Sequence, residues 1–114
     1  MAYIGIDANG NRMKVATGNG TASSTENYKI ELGFKPKYIA FLVSGSTSSW
    51  SAGTVNIYNA DISTTQFFKG TSSTALSLVD IGNAPTGSIV SIDNDGFTMA
   101  KSSNIYPYKY FAIG

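Results

Sequence analysis

No window of eleven or more residues in this chain keeps apolar side chains at the i, i+3, i+4 and i+7 spacing of an amphipathic helix, and good helix formers are rare. Short runs rich in β-branched and aromatic residues recur instead, each bounded by Gly, Pro, Asn, Asp or Ser. Runs of this length at near-regular spacing restrict the chain to an all-β fold. At 114 residues one domain is expected, spanning 1–114, with enough buried surface to need no metal or disulfide. The expected architecture is a compact antiparallel β-sandwich, jelly-roll-like or lectin-like, of about eight or nine short strands.

The turn chemistry places most of those strands. Residues 3–8 and 12–15 flank Asn9-Gly10, the dipeptide that best tolerates a type I′ hairpin turn. In the second segment Met13 and Val15 alternate with Arg12 and Lys14, so one face is expected to be buried and the other wet. Residues 17–25, rich in Gly, Ser and Thr, form a connection. Over 28–32, Tyr28, Ile30 and Leu32 share one face and Lys29 and Glu31 the other. Gly33-Phe34-Lys35-Pro36-Lys37 is a corner: Gly33 permits the bend, Phe34 drops into the core, and Pro36 sets the entry to the next strand. "YIAFLV" at 38–43 is a continuous apolar run, expected to be a central strand covered on both faces. Further strands are expected at 55–58, 66–68, 75–81, 89–92, 97–99 and 106–113, with a loop at 82–87 and a second hairpin turn at Asp93-Asn94-Asp95-Gly96.

Two zeros in the composition remove much of enzymology. Without cysteine or histidine there is no Ser-His-Asp or Cys-His nucleophile system, no zinc finger or zincin, and no haem held by His or Cys. Seven carboxylates remain, and nothing in their placement selects a catalytic dyad. Asp93, Asp95 and Gly96 match the start of a calcium loop, but in that register Ser91 and Ser102 stand at the first and twelfth ligand positions. Those aspartates are read as caps on turn amides. "GNG" at 18–20 precedes a polar stretch and no helix, so it is not a phosphate cradle. No catalytic, cofactor or metal residues are assigned, and the protein is expected to be non-enzymatic.

The eight basic residues are scattered from Arg12 to Lys109 with a net charge of +1, which lacks the concentrated footprint of a nucleic-acid binder. No apolar run approaches the ~20 residues that cross a bilayer, so no membrane insertion is expected. The opening residues have neither the basic nor the apolar region of a signal peptide, which points to synthesis in a cytoplasm.

Aromatic residues are the remaining candidates for contact. Trp50, the only tryptophan, sits in "SGSTSSWSAGT" at 44–54, where small polar residues read as a loop. A large ring on a loop needs a partner: the core, a neighbouring subunit or a ligand. Tyr106, Tyr108 and Tyr110 alternate on the last strand and so share a face. Such a stripe suits stacking on sugar rings, and it more commonly forms core or a subunit interface. Tyr58, with Asn56 and Asn59 beside it, is a further polar-aromatic candidate. The candidate ligand or subunit contacts are therefore Trp50, Tyr58, Asn56, Tyr106 and Tyr108.

Three segments, "IELGFKPKYIAFL" at 30–42, "DNDGFTM" at 93–99 and "YPYKYFAIG" at 106–114, resemble in content and order the small β-sandwich modules of tailed-bacteriophage virion proteins. The resemblance spans residues 28–114. It implies a virion protein, either a tail-fibre or receptor-binding tip or a capsid decoration protein, commonly a homotrimer that contacts other virion proteins or a host-surface saccharide. The Phe-x-Pro corner and strand order are also similar to H-type lectin sandwiches, which implies the alternative of a free saccharide-binding module. On either virion reading the N-terminal hairpin at 3–15 is a candidate docking element.

Overall fold

The structure, a computed structural model, describes residues 2–6, 9–10, 12–51, 53–71, 73–83 and 85–114. Ten strands are present among them: β1 (Ala2–Ile6), β2 (Arg12–Thr21), β3 (Tyr28–Glu31), β4 (Tyr38–Val43), β5 (Thr54–Asn59), β6 (Gln66–Thr71), β7 (Ser77–Asp80), β8 (Ile89–Asp93), β9 (Gly96–Met99) and β10 (Pro107–Ile113). They form two antiparallel sheets, one of seven strands in the order β1-β2-β10-β4-β5-β6-β7 and one of three in the order β3-β9-β8. The expected sandwich is present, with its strands divided seven against three.

One hydrophobic core lies between the sheets. The large sheet contributes Ile39, Phe41 and Val43 of β4, Tyr58 of β5, Phe67 of β6 and Ala112 of β10. From the small sheet come Ile30, Ile89, Phe97 and Met99. The 33–37 corner carries the chain from β3 to β4 as expected. Gly33 takes the left-handed conformation (φ +80°), and the Leu32 and Gly33 N–H groups both donate to the Asp95 carbonyl, at 2.7 and 3.0 Å. Phe34 is buried in the core. The second hairpin turn is capped by Asp93, whose Oδ1 accepts from the N–H groups of Asp95 (2.8 Å) and Gly96 (3.0 Å). Those bonds, with Lys29 3.2 Å from Oδ2, hold the Asp93 carboxyl below its ordinary pKa.

Three expectations are corrected. The first hairpin forms, with Ile6 opposite Arg12, but Asn9 does not adopt a positive φ, so the turn is not type I′. Gly10 alone supplies the left-handed step (φ +83°). The predicted extension of the first strand over Asp7 and Ala8 lies outside the described residues.

The second correction concerns β2, which does not stop at Val15 but runs to Thr21 beside β10. Gly18 and Gly20 stand directly opposite Tyr110 and Tyr108. A Cβ added at Gly18 would meet the Tyr110 ring at 2.7 Å, and one at Gly20 the Tyr108 ring at 2.8 Å. Both tyrosines thus lie across the space that the glycines leave open. Cross-strand packing outweighs the low strand propensity of glycine here.

The third concerns β4, which is central in its sheet but covered on one face only. Ile39, Phe41 and Val43 are buried, whereas Tyr38 and Ala40 are half-buried and Leu42 is exposed. The three-stranded sheet packs on one side of the seven-stranded sheet, and among the described residues no element covers the other side.

Candidate functional site

Register decides which side chains occupy that bare face. On one rung, Thr17, Phe111, Ala40, Ile57, Phe68 and Leu78 stand opposite one another in turn across β2, β10, β4, β5, β6 and β7. On the next, Asn19, Lys109, Leu42, Val55 and Gly70 do the same. Leu76 closes over Gly70, with its Cδ2 3.0 Å from where a Cβ would be. Because side chains alternate across a strand, these positions all point away from the core. Phe111, Leu42, Ile57, Leu76 and Leu78 are 36–52% exposed.

Trp50 stands at the margin of this face. Its ring is 42% exposed, and the Lys109 ammonium lies 4.7 Å from the ring centroid, a cation–π contact. The serine-rich loop is held in shape by Ser44, which is itself buried. The Ser44 hydroxyl accepts from the N–H groups of Ser46 (3.2 Å) and Ser51 (3.1 Å) and lies 3.2 Å from the Ser51 carbonyl, to which it donates. The loop base is tied to β10 by the Ser44 N–H bond to the Pro107 carbonyl at 2.8 Å. One buried hydroxyl therefore organises a polar loop around an exposed indole.

The other candidate contacts lie elsewhere. Asn56 is fully buried, and its Nδ2 donates to the Gly87 carbonyl at 2.7 Å, where it pins a loop instead of meeting a ligand. Tyr58 is buried on the inner face of β5. Both are corrected as exposed contacts, since the alternation of β5 turns them inward and Val55 and Ile57 outward. Tyr106, Tyr108 and Tyr110 do share one face, and it packs on the core. Tyr108 stacks on Phe41 (4.9 Å between centroids) and on Tyr28 (5.7 Å), and the Tyr106 hydroxyl accepts from Asn104 Nδ2 at 3.0 Å. Missed in the sequence were Leu42, Ile57, Phe68 and Phe111, whose apolar character alone reads as core. Only the side on which the second sheet packs distinguishes their face from the buried one.

A cavity of about 320 Å³ opens where the 33–37 corner meets β5 and β8. Pro36, Tyr58, Ala60 and Ile92 give it apolar walls, and Lys35, Lys37 and Thr64 add polar groups. Its size is at the lower end of small-ligand sites. A second polar group of residues is structural. Lys69, opposite Asn56, donates from Nζ to the Thr86 carbonyl (3.0 Å) and the Ser88 hydroxyl (2.6 Å), and burial lowers its pKa. Among the described residues no three of His, Cys, Asp or Glu come together to hold a metal ion. Nor, among these residues, is there a helix long and apolar enough to cross a membrane.

The inner tyrosines make stability depend on alkaline pH. Burial raises the phenol pKa values of Tyr28, Tyr58, Tyr108 and Tyr110, with neighbouring phenols adding to the shift at Tyr28 and Tyr108. A raised folded-state pKa contributes stability that is complete below the unfolded value of about 10 and is lost as pH rises through the folded values. Lys69 acts in the opposite sense, because its deprotonation relieves a burial penalty. The tyrosines are more numerous, so Tm is expected to fall as pH rises above about 10. Calorimetry across that range checks this, and phenols titrating at their ordinary pKa with Tm unchanged would contradict it.

The fold and this surface define an antiparallel β-sandwich with one apolar sheet face left open beside a loop-mounted tryptophan. No protein-family model, curated protein or solved structure matches the chain.

Proposed function

We propose that this chain is a non-enzymatic structural and recognition module of a bacteriophage virion, of the tail-fibre or receptor-binding type. The observation that carries the reading is the open apolar face of the seven-stranded sheet with Trp50 at its margin. An exposed apolar patch of this extent is at the upper end of what a lone domain shows and commonly marks an interaction site. Low charge and abundant Ser and Thr suit an exposed particle surface. The virion context rests on the three motifs at 30–42, 93–99 and 106–114. An indole held by a rigid loop beside a lysine suits stacking on a host-surface saccharide or packing on a neighbouring subunit.

Sedimentation with host cells, and separately with particles lacking the protein, tests the reading. Co-sedimentation with cells is expected, and Trp50→Ala should weaken it by about 30-fold, the ~2 kcal/mol of a contact tryptophan. Binding to particles alone would transfer the protein to the capsid-decoration role. Binding to neither would overturn the virion reading.

The cavity favours a second reading, a free saccharide-binding module. Its apolar walls beside Lys35 and Lys37 suit an acidic sugar. Calorimetric titration with sialylated and neutral oligosaccharides tests it: binding of the acidic sugar that Lys35→Glu abolishes supports this alternative, and no heat with either excludes it.

A further inference from the structure

We propose that the open face of the seven-stranded sheet is covered by a second copy of this chain, so that the protein self-associates sheet to sheet. The inference rests on the reading of this face as an assembly surface and names its occupant. Three observations carry it.

The first is area. Phe111, Leu42, Ile57, Leu76 and Leu78 are 36–52% exposed, and Trp50, at the margin, is left to the host contact. At the ~150–250 Å² that a large side chain offers when free, they leave about 450 Å² of apolar surface. Two copies would bury about 900 Å² from these side chains alone, and the half-buried Val55 and Phe68 among them bring the total near the roughly 1,000 Å² that a biological interface needs.

The second is anatomy. Polar groups flank the apolar centre, and two pairs of them are already engaged within the chain. Gln66 Nε2 donates to Asp80 Oδ1 at 3.0 Å, and the Tyr38 hydroxyl donates to Asp61 at 2.5 Å. Thr17 and Asn19 on β2 form the far margin. An apolar centre flanked by polar groups is the layout of a protein–protein contact, and sheets stack on it about 10 Å apart.

The third is charge. The central rung carries no ionisable group, and the lysine on the neighbouring rung, Lys109, already faces the Trp50 ring. The centre of the face therefore offers a charged partner nothing to recognise. A second copy of a chain with net charge +1 meets almost no repulsion.

Sedimentation equilibrium of the full chain at micromolar concentration tests the proposal. The wild type is expected to have a mass of at least two copies. Ile57→Lys, at the centre of the face, and Leu78→Lys, on edge strand β7, should each weaken association by about 100-fold, because a charge would be buried without a partner. Ile62→Lys and Ile105→Lys provide matched controls, since both residues are 60% exposed and lie on loops, not on the strands that form the face. These should leave the mass unchanged. Far-ultraviolet circular dichroism of each variant distinguishes dissociation from unfolding, and Leu78→Lys carries the test if Ile57→Lys does not fold.

A monomeric wild type would overturn the proposal, as would an oligomer indifferent to both face variants. Adsorption of the monomer to neutral vesicles, lost in Ile57→Lys, would assign the face to a lipid surface and also overturn it. A monomer that still binds cells would remove this inference and leave the virion reading intact. An oligomer that binds neither cells nor particles would do the reverse.

Discussion

Replacing Phe41 by alanine is expected to lower the unfolding free energy by about 4 kcal/mol, within the range for a truncated core phenylalanine. Phe41 is inaccessible at the centre of β4, the middle strand of seven. Its ring meets Phe97 of the opposing sheet edge-on (5.7 Å, 87°) and lies near parallel to Tyr108 (4.9 Å) and Tyr110 (6.0 Å). The loss therefore includes contacts to both sheets and a cavity between them. Urea unfolding should show a lower midpoint at an unchanged slope, and Tm should fall by ~15 °C. A loss below about 1.5 kcal/mol would mean that the neighbouring rings collapse into the space.

The second large effect is expected at Gly96, where β9 begins. A Cβ there would stand 2.0 Å from the Ile30 carbonyl oxygen and 3.2 Å from the Leu32 nitrogen. Both are backbone atoms at the end of β3, so no side chain can move aside. Gly96→Ala must push β3 from β9 and weaken the bonds from Leu32 and Gly33 to the Asp95 carbonyl. A cost of about 3 kcal/mol is expected, the upper end for overpacking. Gly10→Ala is the informative comparison. Among the described residues nothing lies within 4 Å of its added Cβ, and the left-handed backbone (φ +83°) opposes it, which costs about 1 kcal/mol. Equal losses at the two positions in chemical denaturation would show that close approach is not what requires glycine at 96.

Both predictions concern residues whose environment was partly legible. Phe41 sits in the apolar run "YIAFLV", which marks a central strand whatever its neighbours. Gly96 ends a hairpin turn that Asp93 caps, and that chemistry lies within four residues. The corner at 33–37 is legible for the same reason. Where the sequence misled, a distant partner outweighed local preference. Gly18-Asn19-Gly20 has the composition of a loop, yet it is strand because Tyr108 and Tyr110, some ninety residues later, stack over its two glycines. The matching two-residue spacing of G-x-G and Y-x-Y was a visible signal, but only for an observer who already knew that β2 and β10 pair.

The candidate site was less legible than the fold. Trp50 stood out because its surroundings offered no strand to bury it, and it is exposed. Asn56 and Tyr58 were equally visible and turned inward, while Ile57 between them turned outward. Alternation states that Ile57 and Tyr58 face opposite ways, but not which way is in.

By itself, then, the sequence determined the all-β class, the position of nearly every strand and the chemistry of its turns, because alternation and turn preference act over a few residues. Tertiary structure alone decided which face of each strand is covered. Burial depends on which side of the large sheet the second sheet packs, and with a single opposing layer the other face, apolar in this chain, is left without a cover.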